Sequence, residues 1–576
     1  MSERKLDRKA ISALMLALLL VGLLTMAFNI QPARAAAAIY IRMDGSIYPL
    51  TAPISTLDNV TYTFVDNLYD WRIVVEKDNI VIDGAGYTLQ GTGSGNGIDL
   101  SGRTNVTVWN TQIMGFGYGI MLSSSSNCNV IDNTIAYNGD RGIYIPHNSA
   151  CMHNSFNGNT ITNNAFCGIW LGTSSNYNCI SGNTIANNGN GILLSSHYTN
   201  ISDNNITANS RSGMLIGTSH SSVSGNIITA NNEYGIRFNE GSSNNSVSNN
   251  IITNNGDGIW LIISSNNNIS GNTVTNNIEG ITLYPSCSGN TVSGNTITDN
   301  CNIGVWIIHY NYYNSIVGNT IANNGEGITF SYSDYNNVSG NTFTNNGLVI
   351  GLHAYRNSAE NNTVNGKPLV YLDGIANCSV GDAGQVILLR CDNIRVENLN
   401  LYRANTGVQL FETNNTIISG NTITANDQYG IELTSSSNNS VSGNTINNNR
   451  YGIRLYSSSN NIIYHNNFID NTNQVYVYPS GYSNVWDDGY PSGGNYWSDY
   501  TERYPYASEF NGSGIWNRPY ALDGSNQDSY PLIHIYVIPE FPSGIILPLF
   551  MVLSILFTVF ARRKILKNRR KRGVCG

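Results

Sequence analysis

The phrase S-G-N-T-I-A-N-N-G-N-G-I-L-L, at Ser181–Leu194, decides the fold because the chain repeats it many times. Related phrases stand at Ser293–Ile307 and Ser442–Leu455. A glycine followed by an apolar residue returns about every 22–26 residues, a repeat length that is typical of solenoids. These glycines are Gly97, Gly119, Gly142, Gly168, Gly191, Gly213, Gly235, Gly258, Gly280, Gly304, Gly327, Gly407, Gly430 and Gly452.

Apolar and polar residues alternate inside each repeat, as Ile192 and Leu194 illustrate. A period of two is typical of short β-strands and not of helices. One coil cannot bury enough apolar surface to order its own backbone, so coils must stack and pair their strands in parallel. The sequence therefore predicts an all-β parallel β-helix.

An asparagine follows the Ser-Gly pair in most repeats. Asparagine tolerates the left-handed turn conformation, and its amide bonds readily to the backbone. We therefore expect these residues to be structural, with amides of successive coils bonded in a ladder. They are Asn133, Asn159, Asn183, Asn204, Asn226, Asn250, Asn272, Asn295, Asn319, Asn341, Asn421, Asn444 and Asn466.

These repeats resemble the right-handed parallel β-helix repeat of the pectin-lyase-like superfamily. More narrowly, they resemble the NosD-like family, described as periplasmic copper-binding, and its archaeal surface-protein relatives. The resemblance covers most of the chain and implies a right-handed β-helix. It does not fix a function, because this fold hosts lyases, hydrolases, adhesins and inert stalks.

The two ends of the chain predict export and anchoring. A basic start, an apolar run and a small-x-small end indicate a signal peptide, with an uncleaved anchor as the alternative. The segments are 1–35 signal peptide, 36–96 N-terminal cap, 97–475 repeats with an insertion near 361–405, 476–536 aromatic-rich C-terminal cap, 537–544 linker, 545–561 transmembrane helix and 562–576 basic tail.

Charge and flanking residues set the expected location. The basic tail after the apolar segment predicts a cytoplasmic C-terminus, so the repeats face outside. The phrase P-E-F-P-S-G before that segment resembles a C-terminal sorting or anchoring signal of archaeal surface proteins, which leaves open whether the helix is retained. Abundant N-x-S/T sequons predict a glycoprotein. A net charge of −8 without a basic patch argues against a nucleic-acid partner.

Eight of the nine cysteines precede the apolar C-terminal segment. In an exported protein an even number permits disulfides, and Cys378 with Cys391 is the first pair to test. The alternative is that buried cysteines fill the core as small apolar residues.

Metal binding has two candidate places. Copper prefers clustered His, Cys or Met, and only His197 and His220 lie about one coil apart, so isolated surface histidines are favoured. The C-terminal cap holds Trp486, Asp487, Asp488, Trp497 and Asp499, which could instead form a sugar- or calcium-binding module. We favour the cap, because a solenoid end must be covered. No cofactor is expected, with calcium as the alternative.

Three carboxylates precede the Gly-Ile pair in their repeats: Asp257, Glu279 and Glu326. Enzymes of the resembled superfamily cut acidic polysaccharides with carboxylates of adjacent coils, which either bind calcium or act as acid and base. Stacked carboxylates repel each other and need a proton or a cation between them. These residues are the weak catalytic candidates, and no lysine or arginine stands at matching positions in their repeats.

Large aromatic residues recur two positions after the Gly-Ile glycine, where alternation predicts that the side chain faces solvent. They are Tyr144, Trp170, Trp260 and Trp306. A row of exposed rings suits stacking against sugars, although strand-favouring surface residues explain it equally. The leading hypothesis is a membrane-anchored, non-enzymatic surface protein that binds carbohydrate or cell-envelope partners. The alternatives are a polysaccharide lyase or glycoside hydrolase and, more weakly, a copper-handling protein.

Overall fold

The structure, a computed structural model, describes residues 36–479 and 481–537. The predicted signal peptide, transmembrane helix and basic tail lie outside the described residues. Among the residues that are described, no helix is long and apolar enough to cross a membrane. The chain divides into two compact units within the segment predicted to be an insertion. The first unit holds residues 36–371, 383–387 and 403–406, and the second holds 372–382, 388–402 and the chain from 407 onward.

In the first unit, successive coils place one strand in each of three sheets, whose strands pair in parallel except at the ends. The sheet that carries the Gly-Ile pairs is called the Gly-Ile sheet. Its strands, in spatial order, are Ile47–Tyr48, Ala37–Ile41, Trp71–Val75, Asn96–Asp99, Tyr118–Met121, Arg141–Ile145, Cys167–Leu171, Asn190–Leu194, Met214–Ile216, Tyr234–Phe238, Asp257–Leu261, Glu279–Leu283, Ile303–Ile308, Glu326–Ser331 and Leu348–Ile350.

The other two sheets of this unit follow the same order of coils. The second sheet contains Ile54–Ser55, Thr61–Phe64, Ile80–Asp83, Val106–Trp109, Asn129–Ile131, Ser155–Asn157, Cys179–Ser181, Asn200–Ser202, Ser222–Ser224, Ser246–Ser248, Asn268–Ser270, Thr291–Ser293, Ser315–Val317, Asn337–Ser339 and Ser358–Glu360. The third contains Leu68–Tyr69, Thr88–Gln90, Gln112–Met114, Thr134–Ala136, Thr160–Thr162, Thr184–Ala186, Asn205–Thr207, Ile227–Thr229, Ile251–Thr253, Thr273–Thr275, Thr296–Thr298, Thr320–Ala322, Thr342–Thr344 and Thr363–Val364.

The core follows from the alternation read in the sequence. One coil contributes Val247, Ile252, Ile259 and Leu261, and none of these four side chains is exposed. The glycine before the isoleucine is required by space, because a Cβ added to Gly258 would lie only 2.4 Å from the carbonyl oxygen of the next coil's glycine. The predicted all-β parallel solenoid of the right-handed type is confirmed.

The predicted asparagine ladder is confirmed. Each amide nitrogen donates to the amide oxygen of the next coil at 2.9–3.0 Å. The left-handed conformation falls on the preceding residue, as at Gly182 before Asn183 and Asp203 before Asn204. This division of roles leaves the ladder side chain pointing inward, where Asn204 is 1% exposed.

The second unit repeats the same construction in fewer coils. Its parallel strands are Ala376–Val380, Asp392–Glu397, Ile417–Ser419, Ser440–Ser442 and Ile462–Tyr464 in one sheet, Asn400–Tyr402, Thr422–Thr424, Thr445–Asn447, Asn467–Ile469 and Tyr496–Trp497 in another, and Tyr429–Thr434, Tyr451–Tyr456 and Asn473–Tyr478 in a third. The short helix α1 spans Tyr500–Arg503, and Tyr520–Ala521 pairs antiparallel with Gln527–Asp528. Lys367–Asp373, Gln385–Leu389 and Thr406–Phe411 contain residues of both units.

The C-terminal segment ends the asparagine ladder of the second unit. The ladder runs through Asn421, Asn444 and Asn466 to Asn495. The backbone N–H of Asn495 then donates to a carboxylate oxygen of Asp528 at 2.7 Å, where a further coil would supply an asparagine. Trp497 lies between the rings of Phe468 and Tyr520, with centroids 4.4 and 4.1 Å away.

Asp528 makes the stability of this cap depend on pH. Its side chain is fully buried, and burial raises the pKa of Asp528 from 3.8 to about 7. The folded state then keeps a proton that the unfolded state loses near pH 4, so folding stability falls as pH rises between these values. We expect the free energy of unfolding of the second unit to decrease from about pH 4 to about pH 7 and to level off above.

The variant Asp528→Asn is expected to lose this slope, because the amide keeps an acceptor oxygen without a titrating proton. Urea unfolding of the full-length chain at a series of pH values measures it. The matched control is Asp488→Asn, which alters an exposed carboxylate of the same segment and should keep the slope. An unchanged slope in Asp528→Asn would contradict the assignment.

The eight cysteines among the described residues are all free thiols, including the predicted pair Cys378 and Cys391. Burial raises the pKa of Cys128 and Cys287 to about 11, so these thiols stay neutral inside the stack. This outcome corresponds to the alternative in which buried cysteines act as small apolar residues.

Candidate functional site

The candidate site lies on the outward face of the Gly-Ile sheet in the first unit. Parallel register aligns equivalent positions of successive coils, so Tyr144 pairs with Trp170 and Arg237 pairs with Trp260. The residues on either side of Trp260 in its strand, Ile259 and Leu261, point into the core. The side chains of Tyr144, Trp170, Trp260 and Trp306 are all partly exposed.

An uninterrupted line of six rings, called the aromatic row, crosses this face from coil to coil. Neighbouring ring centroids are 5.7, 6.2, 5.4, 5.7 and 5.0 Å apart. Its first two rings lie on strands of the Gly-Ile sheet, and its later rings lie in the turns that follow such strands. Its members are Tyr234, Trp260, Tyr284, His309, Tyr332 and His353.

A second group of rings, the Arg141 cluster, surrounds one guanidinium in the earlier coils. The guanidinium carbon of Arg141 lies 4.0 Å from the ring centroid of Trp170 and 4.3 Å from that of Tyr144. Tyr118 and Phe166 complete the cluster at 5.3 and 5.1 Å. Two of the predicted aromatics, Tyr144 and Trp170, are therefore in contact, with centroids 5.7 Å apart.

An open pocket of about 450 Å³ lies beside the first ring of the aromatic row. Its wall includes Glu233, Tyr234, Arg237, Asp257 and Ile278. Arg237 stands over the Tyr234 ring at 5.2 Å, so the pocket combines a cation, an aromatic surface and two carboxylates. No lysine or arginine stands at the position matching Asp257 in the neighbouring repeats. The structure nevertheless places a basic residue in the same pocket, Arg237 of the preceding coil.

The predicted carboxylates Asp257 and Glu279 pair in register on neighbouring strands. Burial raises the pKa of both carboxyl groups above their ordinary values, and hydrogen bonds offset this only in part. Asp257 accepts a 3.3 Å hydrogen bond from the Glu279 backbone N–H, and Glu279 accepts a 2.9 Å bond from the Ile303 backbone N–H. Glu326 accepts from the Thr329 hydroxyl at 2.5 Å. All three carboxylates thus accept hydrogen bonds from N–H or O–H groups of the same sheet.

Three predicted candidates, Trp306, Trp486 and Trp497, are placed apart from these groups. Trp306 lies on the same face, but none of the ring contacts found among the described residues includes it. In the C-terminal cap, Trp486 and Trp497 are 1% and 2% exposed, so neither indole face is available for a sugar.

Sequence reasoning missed five of the six members of the aromatic row: Tyr234 at the start of its strand, and the four later rings. Tyr284 follows its strand, and His309, Tyr332 and His353 have positive φ values of 65°, 49° and 53°. They stand outside the strand positions where alternation indicates the direction of a side chain. The available signal was their recurrence at steps of 21 to 25 residues, close to the coil period.

Comparison with known proteins identifies one family model. The model described as periplasmic copper-binding protein (NosD) matches residues 71–255, 208–324 and 373–502, which together exceed half of the chain. No curated protein matches the sequence.

Several solved structures are similar to this chain at low identity. The mannuronan C-5 epimerase A-module of Azotobacter vinelandii is 13% identical, covers 53% of this chain and 88% of its own, and gives a TM-score of 0.33. A periplasmic alginate epimerase is 16% identical over 56% and 83%, with a TM-score of 0.36. An alginate lyase from Paenibacillus sp. str. FPU-7 is 17% identical over 39% and 87%, with a TM-score of 0.26. At these values the likenesses carry no information about activity.

The donors present do not fit the copper ion of the family description. In the described part of the chain, no three His, Cys, Asp or Glu side chains lie close enough to hold a metal. His197 uses its Nδ1 to accept a 3.0 Å hydrogen bond from the Ser219 backbone N–H. His220 stacks on Tyr198 at a centroid distance of 5.1 Å. The two histidines are therefore engaged separately.

Proposed function

The chain belongs to the NosD family, and from that membership and the geometry of its outward face we propose that it is an exported β-helix protein that binds a carbohydrate chain. The binding surface is the aromatic row with the pocket at its first ring. Residues 1–35 direct export, and residues 545–561 anchor the protein in the membrane with a cytoplasmic tail. The binding is not coupled to a reaction.

The observation that carries this proposal is the unbroken aromatic row. Rings on successive coils of one face form a long, partly exposed apolar strip, and such strips on soluble proteins usually have a binding role. Sugar rings present apolar C–H faces of matching size, and their hydroxyls can bond to the polar groups that border the strip. A strip that extends along the coils suits a polymer better than a compact ligand.

The partners of the carboxylates support a binding role over catalysis. Asp257 and Glu279 each accept a backbone N–H of the next coil, which fixes the strand edge. A side chain used this way has a structural reason to be present. We therefore assign Asp257 to the border of the binding surface and assign no catalytic residue.

We expect Trp260→Ala to lower the affinity for the best ligand of a glycan-array screen at least tenfold, because stacking of this size is worth more than about 1.4 kcal/mol. Isothermal titration of the full-length chain measures it. The matched control is Tyr313→Ala, which removes a ring that is 70% exposed on a different turn of the same unit. Equal affinities of the wild type and folded Trp260→Ala would contradict the proposal, and Trp306→Ala should have the smaller effect.

The second candidate function is a polysaccharide lyase or glycoside hydrolase. It is favoured by one observation, the raised pKa of both Asp257 and Glu279 on paired strands, since perturbed carboxyls often mark active sites. In that case a proton or a calcium ion would lie between the two groups. Release of unsaturated or reducing ends by the wild type, and not by Asp257→Asn or Glu279→Gln, would establish it.

A further inference from the structure

Two places on the outward face leave the same pair of N–H donors unsatisfied. Near the start of the unit they are Nε of Arg141 and Nε1 of Trp170. Later they are Nε of Arg237 and Nε1 of Trp260. All four atoms are buried and have no hydrogen-bond partner among the described residues.

The repetition extends to the surroundings of each pair. In both places the arginine precedes the tryptophan by one coil and lies over a tyrosine ring, at 4.3 Å for Tyr144 and 5.2 Å for Tyr234. In both places a carboxylate is adjacent, because Asp140 is 2.6 Å from Arg141 and Asp257 shares the pocket of Arg237. The two groups are therefore similar in composition, but the arginine and the tyrosine have exchanged strand positions, because Tyr144 pairs with Trp170 in one group and Arg237 pairs with Trp260 in the other.

Buried donors without partners cost stability, and in native proteins they usually have an explanation. Here Arg237 and Trp260 border the surface assigned to carbohydrate, and Arg141 and Trp170 lie on the same outward face in earlier coils. Oxygen atoms of a ligand would satisfy these donors once a shift of the side chains exposes them. Trp170 and Trp260 are separated by four coil steps. At the spacing of parallel strands this corresponds to roughly 19 Å along the stack. One extended chain can therefore reach both places.

The charged side chains on this face favour a neutral carbohydrate over an acidic one. The face carries Arg141, Arg211 and Arg237 but also the carboxylates of Asp140, Glu233, Asp257, Glu279 and Glu326, and Arg211 is paired with Glu233. Arg141 is already paired with Asp140, so a uronate would compete for that cation and would meet an excess of like charge. Hydroxyl groups both donate and accept hydrogen bonds, and thus match a surface that offers N–H donors beside carboxylate acceptors.

We propose that the ligand is a neutral, hydroxyl-rich glycan held at two similar arginine–tryptophan subsites, one at Arg141 and Trp170 and the other at Arg237 and Trp260. This inference rests on the proposed carbohydrate-binding function and specifies its ligand class. Occupation of both subsites by one chain raises affinity through effective concentration, so long glycans bind more tightly than short ones.

The test is isothermal titration of the full-length chain with cellobiose, cellohexaose, mannohexaose and hexagalacturonate, and with cellulose- and mannan-derived soluble polymers, at low and high salt. We expect a neutral polymer to bind most tightly, with little change on adding salt. Arg141→Ala and Arg237→Ala should each weaken the polymer about tenfold or more, since each removes a charged hydrogen-bond donor.

Two variants complete the design. Arg356→Ala is the matched control, because it removes an arginine that lies over a tyrosine on another turn, and it should leave affinity unchanged. Arg141→Gln retains an amide donor on a shorter stem and is measured if Arg141→Ala proves unfolded. It should bind the polymer less tightly than the wild type.

The outcomes separate this inference from the function on which it rests. Tightest binding of hexagalacturonate with a strong loss at high salt would overturn the neutral ligand and leave carbohydrate binding intact. A loss in Arg237→Ala without any loss in folded Arg141 variants would overturn the second subsite. Absence of binding to every neutral and acidic glycan would overturn both the inference and the proposed function.

Discussion

Deleting residues 183–203 is expected to leave a folded chain that is shorter by one coil. The deletion removes the strands Thr184–Ala186, Asn190–Leu194 and Asn200–Ser202, one from each sheet. Asn204 then follows Gly182 and takes the ladder place of Asn183, so the neighbouring coils meet in register. Because each coil contacts mainly its neighbours, the loss should be about one coil's share of stability.

Deleting only residues 183–193 is expected to unfold the first unit. It removes the third-sheet strand and most of the Gly-Ile strand but leaves the second-sheet strand of the same coil. Neighbouring strands then lose their partners, and the alternation of inward and outward residues is broken at the junction. Thermal unfolding followed by circular dichroism measures both deletions. Equal stability of the two chains would contradict the stacked-coil fold.

Replacing one ladder asparagine is expected to be the most damaging single substitution in the repeats. The Asn204 amide nitrogen donates to the carbonyl oxygens of Ile180 and Ser202 and to the Asn226 amide oxygen, at 3.0, 2.9 and 2.9 Å. Its oxygen accepts the backbone and side-chain N–H groups of Asn183, at 3.0 and 2.9 Å. Asn204→Ala would leave several of these buried groups without partners, at about 3–5 kcal/mol in total.

The control for this substitution is the adjacent residue. Asn205 has the same side chain but is exposed on the strand Asn205–Thr207, so Asn205→Ala should change stability by less than about 0.5 kcal/mol. Urea unfolding of both variants in the full-length chain measures the difference. Similar losses for the two variants would show that the ladder does not stabilise the stack.

The coil could be predicted from the sequence because two signals agree. The recurring Gly-Ile pair sets the length of a coil, and alternation sets which side chains enter the core, as Ile259 and Leu261 do. Stacking then places every asparagine of the Ser-Gly-Asn phrase above the next. The left-handed conformation at this turn falls on the residue before the ladder asparagine, which is Gly182 before Asn183 and Asp203 before Asn204.

The candidate site could be predicted only in part. Strand alternation located Tyr144, Trp170, Trp260 and Trp306 on one face. It could not show that Arg237 and Asp257 line the same pocket, because the two residues occupy different positions in the strands of neighbouring coils. Nor could it find His309 and Tyr332, which belong to turns where the direction of a side chain depends on the local backbone. The division into two units within residues 361–405 likewise depends on tertiary contacts.

Hydroxyl-radical footprinting of the full-length chain, with and without its best-binding glycan, tests the location of binding most directly. The account predicts that the glycan protects Trp260, Tyr284 and His309 from oxidation. Tyr313, which is 70% exposed on another turn, should be oxidised equally in both samples. Protection of Tyr313 or of the C-terminal cap, with unchanged oxidation along the aromatic row, would contradict the proposed binding surface.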